Sequence, residues 1–317
     1  LMSGQGFHDF LVTGANDQLL TDAFTNGLFP IQLFSNWWPG NGTTKLALFE
    51  NLERNEELYA NNEQWKLWQA QNYGLSRAPV ELIAHVVEND KPYTEILTAN
   101  YTMVTPLTAD LLNAELGDSW EQSVVYNGEY SEFHKEFKPA KNFGTFNSEP
   151  GPEVCIPVQG GDCYPSTWEP FEWPHAGVLN TMAFLQRYPT TETNRNRARA
   201  RWTYKFFLGL DIEASAARTT DAVALADKNN PTLLNPACTV CHQTLDPVAG
   251  AFQNYNETGI FRISGFTDSL PYGYKLDPES GYVNGDTWYS DMRTPGMNGQ
   301  SAPDASNSLQ WLAQQIV

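Results

Sequence analysis

The sequence predicts a mainly α fold, and three observations carry that expectation. Apolar residues recur at three- and four-residue spacing over residues 46–68, 80–87, 178–188 and 192–210. The last turns repeat the pattern with Leu309, Trp311, Leu312 and Ile316. Between the helical stretches, residues 117–174 break into Gly, Pro, Asn and aromatic residues, which reads as a long ordered loop or small strands. At 317 residues the chain can bury a substantial core. Two domains are expected, a mostly helical one over 1–150 and a second over 151–317.

Along the chain, residues 46–68 form the first helical pattern. Val80, Ile83, Ala84 and Val87 make one stripe behind Pro79, which suits the first turn of a helix because its missing N–H has no intrahelical partner there. His85 with Glu81 and Glu88 reads as a cluster on that helix's surface, not as a catalytic pair. Residues 92–99 and 106–116 read as two short helices, and the Ala-rich 211–227 as a further one. A helix over 236–244 follows, and from Asp246 onward Gly and Pro punctuate a loop-rich tail. The chain starts at Leu1 without a signal peptide, so a processed or trimmed product is expected. The final helical pattern reaches Val317 with no stop signal, so the second domain is expected to be truncated there.

The helix over 236–244 holds Cys238-Thr239-Val240-Cys241-His242. This C-x-x-C-H spacing is the attachment sequence of a covalent c-type haem. One helical turn sets two thiols at the separation of two vinyl groups, and the following histidine supplies the proximal axial ligand to iron. One haem c is therefore expected on Cys238, Cys241 and His242. A zinc site would want a second Cys/His pair at ligand spacing, which the sequence lacks. A thioredoxin-like pair would follow a strand of a parallel sheet, and residues 230–236 do not read as one. The second domain is thus expected to be a helical cytochrome c-like haem domain with long loops.

The remaining two cysteines, Cys155 and Cys163, flank a short loop rich in turn residues. A Cys155–Cys163 disulfide would leave no thiol unassigned, and two free buried thiols are the alternative. Disulfide and haem c both belong to an oxidising compartment outside the cytoplasm, periplasmic or extracellular. No apolar run approaches the roughly 18 residues of a membrane span. The net charge of −18 argues against nucleic acid as a partner and favours a basic redox protein.

Against that acidic background, Arg195, Arg197, Arg199 and Arg201 put four arginines into seven residues. They lead into Trp202, Tyr204, Phe206, Phe207 and Leu208, so the segment reads as one helix entering an apolar core. By i,i+4 spacing Arg195 shares a face with Arg199, and Arg197 with Arg201. Such arginines, Arg195 and Arg199 in particular, could clamp haem propionates. Pairing with acidic neighbours on a solvated face is the alternative.

Three segments carry a family resemblance: residues 175–185, opening His175-Ala176-Gly177-Val178; residues 199–209; and residues 235–247 around the cysteine motif. They resemble large planctomycete-type cytochrome c proteins, which carry several domains of unknown function in series. Residues 94–104 look like the helical domain that precedes the haem domain in that group. The likeness spans residues 80–317 and continues through 249–252 and 259–262. It implies a predominantly helical, extracytoplasmic bacterial haem protein, with further domains beyond Val317.

An electron-transfer cytochrome needs a sixth iron ligand, usually Met sulfur or His nitrogen. His175 and Met182, seven residues apart within the resembling segment, rank level as distal candidates. Met297, after Pro295-Gly296, ranks third, and Met292 fourth. The leading functional expectation is a monohaem cytochrome passing single electrons between redox partners, with no catalytic residue assigned. The alternatives are a peroxidase- or oxygenase-like haem enzyme with an open distal site, or an electron-supplying subunit of a larger redox enzyme. Assembly with further domains or copies of itself is compatible with each.

Overall fold

The computed structural model describes residues 3–21, 63–111, 114–115, 136–144, 154–155, 163–164, 171–172, 175–191, 194–215, 217–227, 231–255, 259, 294–304 and 307–317. Of these, 62% are helical and 7% lie in strands, so the fold is mainly α. Two compact units are present. One gathers residues 1–26, 76–100 and 174–317; the other gathers 27–75 and 101–173.

The first unit begins with α1 (Gln5–Leu19), which ends on Leu20 in a left-handed conformation. Helix α2 (Glu63–Glu88) gives its Ser76–Glu88 portion to this unit. Pro79 lies inside α2, not in a first turn. The helical pattern continues upstream to Glu63, and burial on nearly all sides between Gln71 and Val86 holds the helix through the missing hydrogen bond. Glu81 corrects the reading of a surface cluster, since it is only 4% exposed. Arg77 donates to its Oε1 at 2.8 Å, and His8 on α1 brings Nε2 to 3.2 Å from its Oε2. Paired on two sides, the carboxylate tolerates its burial.

After α2 the chain turns into α3 (Glu95–Thr98), which packs against a 3-10 turn (Gly177–Asn180) and against α11 (Ser308–Ile316), an end helix of the expected kind. Short α5 (Met182–Arg187) follows the 3-10 turn. Phe184, Leu185, Val178, Leu179, Leu309 and Leu312 are buried among these elements. The arginine segment forms α6 (Arg197–Leu208). It starts later than expected because Arg195 and Asn196 adopt left-handed angles, φ 50° and 64°. The Asn196 N–H donates to Thr190 Oγ1 at 3.0 Å, holding that turn. Arg195 and Arg199 therefore do not share a helical face.

The Ala-rich stretch splits into α7 (Ile212–Ser215) and α8 (Ala222–Ala226). Asp221 caps α8 by accepting from the Val223 N–H at 2.9 Å, which starts a new helix there. Next come α9 (Pro231–Leu234) and α10 (Pro236–Gly250). Helix α10 runs past the expected loop start at Asp246 and contains Pro247. Buried Leu245, Val248 and Ala249 keep it helical where proline removes one backbone donor. A two-stranded ribbon of β7 (Gly296–Met297) and β8 (Gln300–Ser301) packs through β7 on α10 and α11.

In the second unit, β3 (Lys138–Gly144) pairs antiparallel with β1 (Thr102–Val104), β2 (Ala114–Glu115) and β6 (Phe171–Glu172). Between β1 and β2 lies α4 (Pro106–Leu111). Thr105 and Thr108 cap its start reciprocally, each hydroxyl accepting the other's N–H at 3.3 and 2.8 Å. Strands β4 (Val154–Cys155) and β5 (Cys163–Tyr164) form a separate hairpin ladder.

Candidate functional site

Helix α10 presents the cysteine motif from its first two turns. Asn235 is the N-cap, its side-chain oxygen accepting the Ala237 N–H at 3.0 Å, and Pro236 occupies the first turn, where no donor is lost. Asn235 also donates to Asp227 Oδ2 at 3.0 Å, tying the end of α8 to this cap. Cys238 and Cys241 then fall one turn apart, both free and partly exposed. Burial, and after it the Asp227 charge, push the Cys238 thiol above its ordinary value.

His242 is held by a partner four residues along the same helix. Its Nδ1 lies 2.9 Å from Asp246 Oδ1. The carboxylate is itself gripped from α6, with Arg197 Nε donating to Oδ1 at 2.7 Å and Arg197 Nη2 to Oδ2 at 2.8 Å. Arg197 Nη2 also reaches Thr232 Oγ1 on α9 at 3.4 Å. Burial raises the Asp246 carboxyl, but hydrogen bonds from His242 and Arg197, with the Arg197 charge, outweigh it and hold it below the usual carboxylate range. An ionised carboxylate only accepts, so the hydrogen bond is donated by Nδ1–H of the imidazole, and in the neutral ring this tautomer leaves the lone pair on Nε2. Among the described residues nothing binds Nε2, and the His242 side chain is 23% exposed.

This arrangement fits the chemistry of covalent haem attachment. Two reachable thiols share one face, and an imidazole of fixed tautomer follows them with its ligating nitrogen available. The rival readings find less support. Among the described residues no three or more His, Cys, Asp and Glu side chains converge as a metal site, as zinc would require. The motif helix follows α9 instead of a strand, and every ladder among the described residues is antiparallel, unlike a thioredoxin-type setting.

The other residues singled out in the sequence distribute as follows. Arg199 is wholly buried and directs its guanidinium inward: Nε and Nη2 donate to the Leu185 carbonyl at 3.2 and 2.9 Å, and Nη1 to the Tyr255 carbonyl at 3.0 Å. Arg195 is buried in the turn before α6. Arg201 pairs with Glu213 at 2.8 Å. His175, Met182 and Met297 are all buried in the first unit, at 7%, 7% and 6% exposure. Met297 lies on β7, which packs against α10. Met292 lies outside the described residues. The ladder of β4 and β5 makes Cys155 and Cys163 register partners, while their side chains lie outside those described.

Asp246 was not singled out from the sequence as functional, and Arg197 was read there only as one of four arginines that could clamp haem propionates. The i,i+4 spacing of His242 and Asp246 is a local signal that could have found the first. Arg197 lies 49 residues from Asp246, and only the packing of α6 on α10 joins them.

Comparison with known proteins covers this same region. Residues 175–264 match the model of the PSCyt3 family, described as a protein of unknown function (DUF1588), a planctomycete-type cytochrome c domain family. No curated protein and no solved structure matches the chain. Among the described residues no helix is long and apolar enough to cross a membrane.

Proposed function

We propose that this chain is an extracytoplasmic bacterial monohaem c-type cytochrome that transfers single electrons between redox partners. The observation that carries the reading is His242 Nδ1 bound to Asp246 at 2.9 Å, on the helix that offers Cys238 and Cys241 one turn earlier. Cys238 and Cys241 would hold the haem covalently and His242 would ligate its iron through Nε2. The bound haem supplies reversible one-electron chemistry at iron. The protein's part is to fix the imidazole, through Asp246 and the Arg197 fork behind it. Met182, His175 or Met297, all buried in the same unit, would supply the sixth ligand and so disfavour peroxide and oxygen chemistry at the iron.

The family match over residues 175–264 supports a cytochrome c-like domain. The net charge of −18 supports a basic partner reached by electrostatic steering. Mature protein is expected to keep haem stain on its denatured band, and its reduced form to bind carbon monoxide poorly. A colourless band would remove the haem reading. Fast carbon monoxide binding with peroxide-dependent dye oxidation would favour the open-site enzyme.

A further inference from the structure

We infer that Asp246 and Arg197 are positioning residues that tune the His242 imidazole in opposite directions, Asp246 lowering the reduction potential of the iron it ligates and Arg197 raising it. The inference rests on the haem reading and extends it to two residues from two helices. A hydrogen bond from Nδ1–H to a carboxylate makes the imidazole a stronger donor and favours the more positive metal state. Asp246 is 3% exposed, so water screens its charge weakly. Arg197, 16% exposed, meets both carboxylate oxygens in a fork at 2.7 and 2.8 Å. That fork draws charge from the carboxylate and fixes its plane, as a single ammonium could not. Thr232 on α9 receives the spare Nη2 donor and keeps the guanidinium in register.

Opposite signs follow. Asp246→Asn keeps the shape and removes the charge, so the oxidised form loses support and the midpoint rises. Arg197→Gln leaves a buried carboxylate with less compensation, so the midpoint falls. Arg197→Lys returns the charge without the fork and lies between wild type and Arg197→Gln.

The test is potentiometric titration of the mature haem-loaded chain and the three variants, after haem staining of each denatured band. The expected shifts are at least tenfold in the oxidised-to-reduced ratio at fixed potential, which is 59 mV for one electron. Shifts of the same sign in Asp246→Asn and Arg197→Gln, or no shift in either, overturn the inference while the stained bands leave the haem reading intact. Colourless wild-type chain overturns both. If Arg197→Gln does not fold, Asp246→Asn against Arg197→Lys decides: a rise in the first and a fall in the second support the inference, and any other pair sinks it.

Discussion

The backbone of Gly177 passes directly against the carbonyl of Ile96, leaving no room for a side chain. A Cβ there would overlap the Ile96 carbonyl oxygen and stand 2.7 Å from Leu97 Cα. Gly177 also holds φ at +53°, a conformation that L side chains resist. This contact joins α3 to the 3-10 turn that leads into α5. Gly177→Ala is therefore expected to destabilise the first unit by about 2–4 kcal/mol, combining backbone strain with overpacking. Gly209→Ala is the control, since Gly209 has φ +66° but open space around it and should cost about 1 kcal/mol. Equal costs for the two would show that the close approach to Ile96 contributes nothing.

Arg199 serves the interior of the unit. Its side chain is fully buried and gathers the carbonyls of Leu185, Tyr188 and Tyr255 with the Asn196 side chain. Arg199→Met would leave several buried acceptors unpaired, at an expected cost of about 3 kcal/mol or more. Arg199→Lys should also lose stability, because an ammonium cannot span acceptors placed for a planar fork. Hydrogen exchange of the α6 amides reads the change locally, and undiminished protection in Arg199→Met would refute the role.

Under the proposed haem reading, buried His175, Met182 and Met297 are the candidates for the sixth ligand, and single substitutions separate them. Met182→Ala, His175→Ala and Met297→Ala are compared for carbon monoxide binding to the reduced, haem-loaded chain. One variant alone should gain fast binding. His242→Ala should keep the covalent haem and lose the spectrum of axially ligated iron. No gain in any of the three distal variants would leave these candidates without a ligand role.

Cys155 and Cys163 are Cα register partners in the β4–β5 ladder. Adjacent antiparallel positions bring Cβ atoms close enough for a bridge. A disulfide there should contribute about 2–3 kcal/mol for so short a loop. Intact mass without reductant should show the pair oxidised and the chain two hydrogens lighter than its reduced form. Alkylation of either residue in native, unreduced protein would speak against the bridge.

What the sequence by itself determined is whatever local geometry controls. The spacing of Cys238, Cys241 and His242 means one helical turn wherever that segment is helical, and Asn235-Pro236 is a local start signal that the structure uses. The mainly α character follows in the same way from apolar periodicity. Two helix boundaries escaped because proline argues for an end, while tertiary burial around Pro79 and Pro247 kept both helices continuous. The arginines show the same divide. Four side chains of one type in seven residues are alike in sequence, yet Arg199 turns inward to carbonyls, Arg201 outward to Glu213, and Arg197 across to Asp246. Only the packing of α6 against its different neighbours distinguishes them, because the environment that sorts like charges is made by residues outside the helix. These are Asp246 on α10 for Arg197, the Leu185, Tyr188 and Tyr255 carbonyls for Arg199, and Glu213 on α7 for Arg201. For the same reason the spacing of the motif and the i,i+4 place of Asp246 were legible locally, whereas the Arg197 fork behind that carboxylate was decided by the tertiary structure.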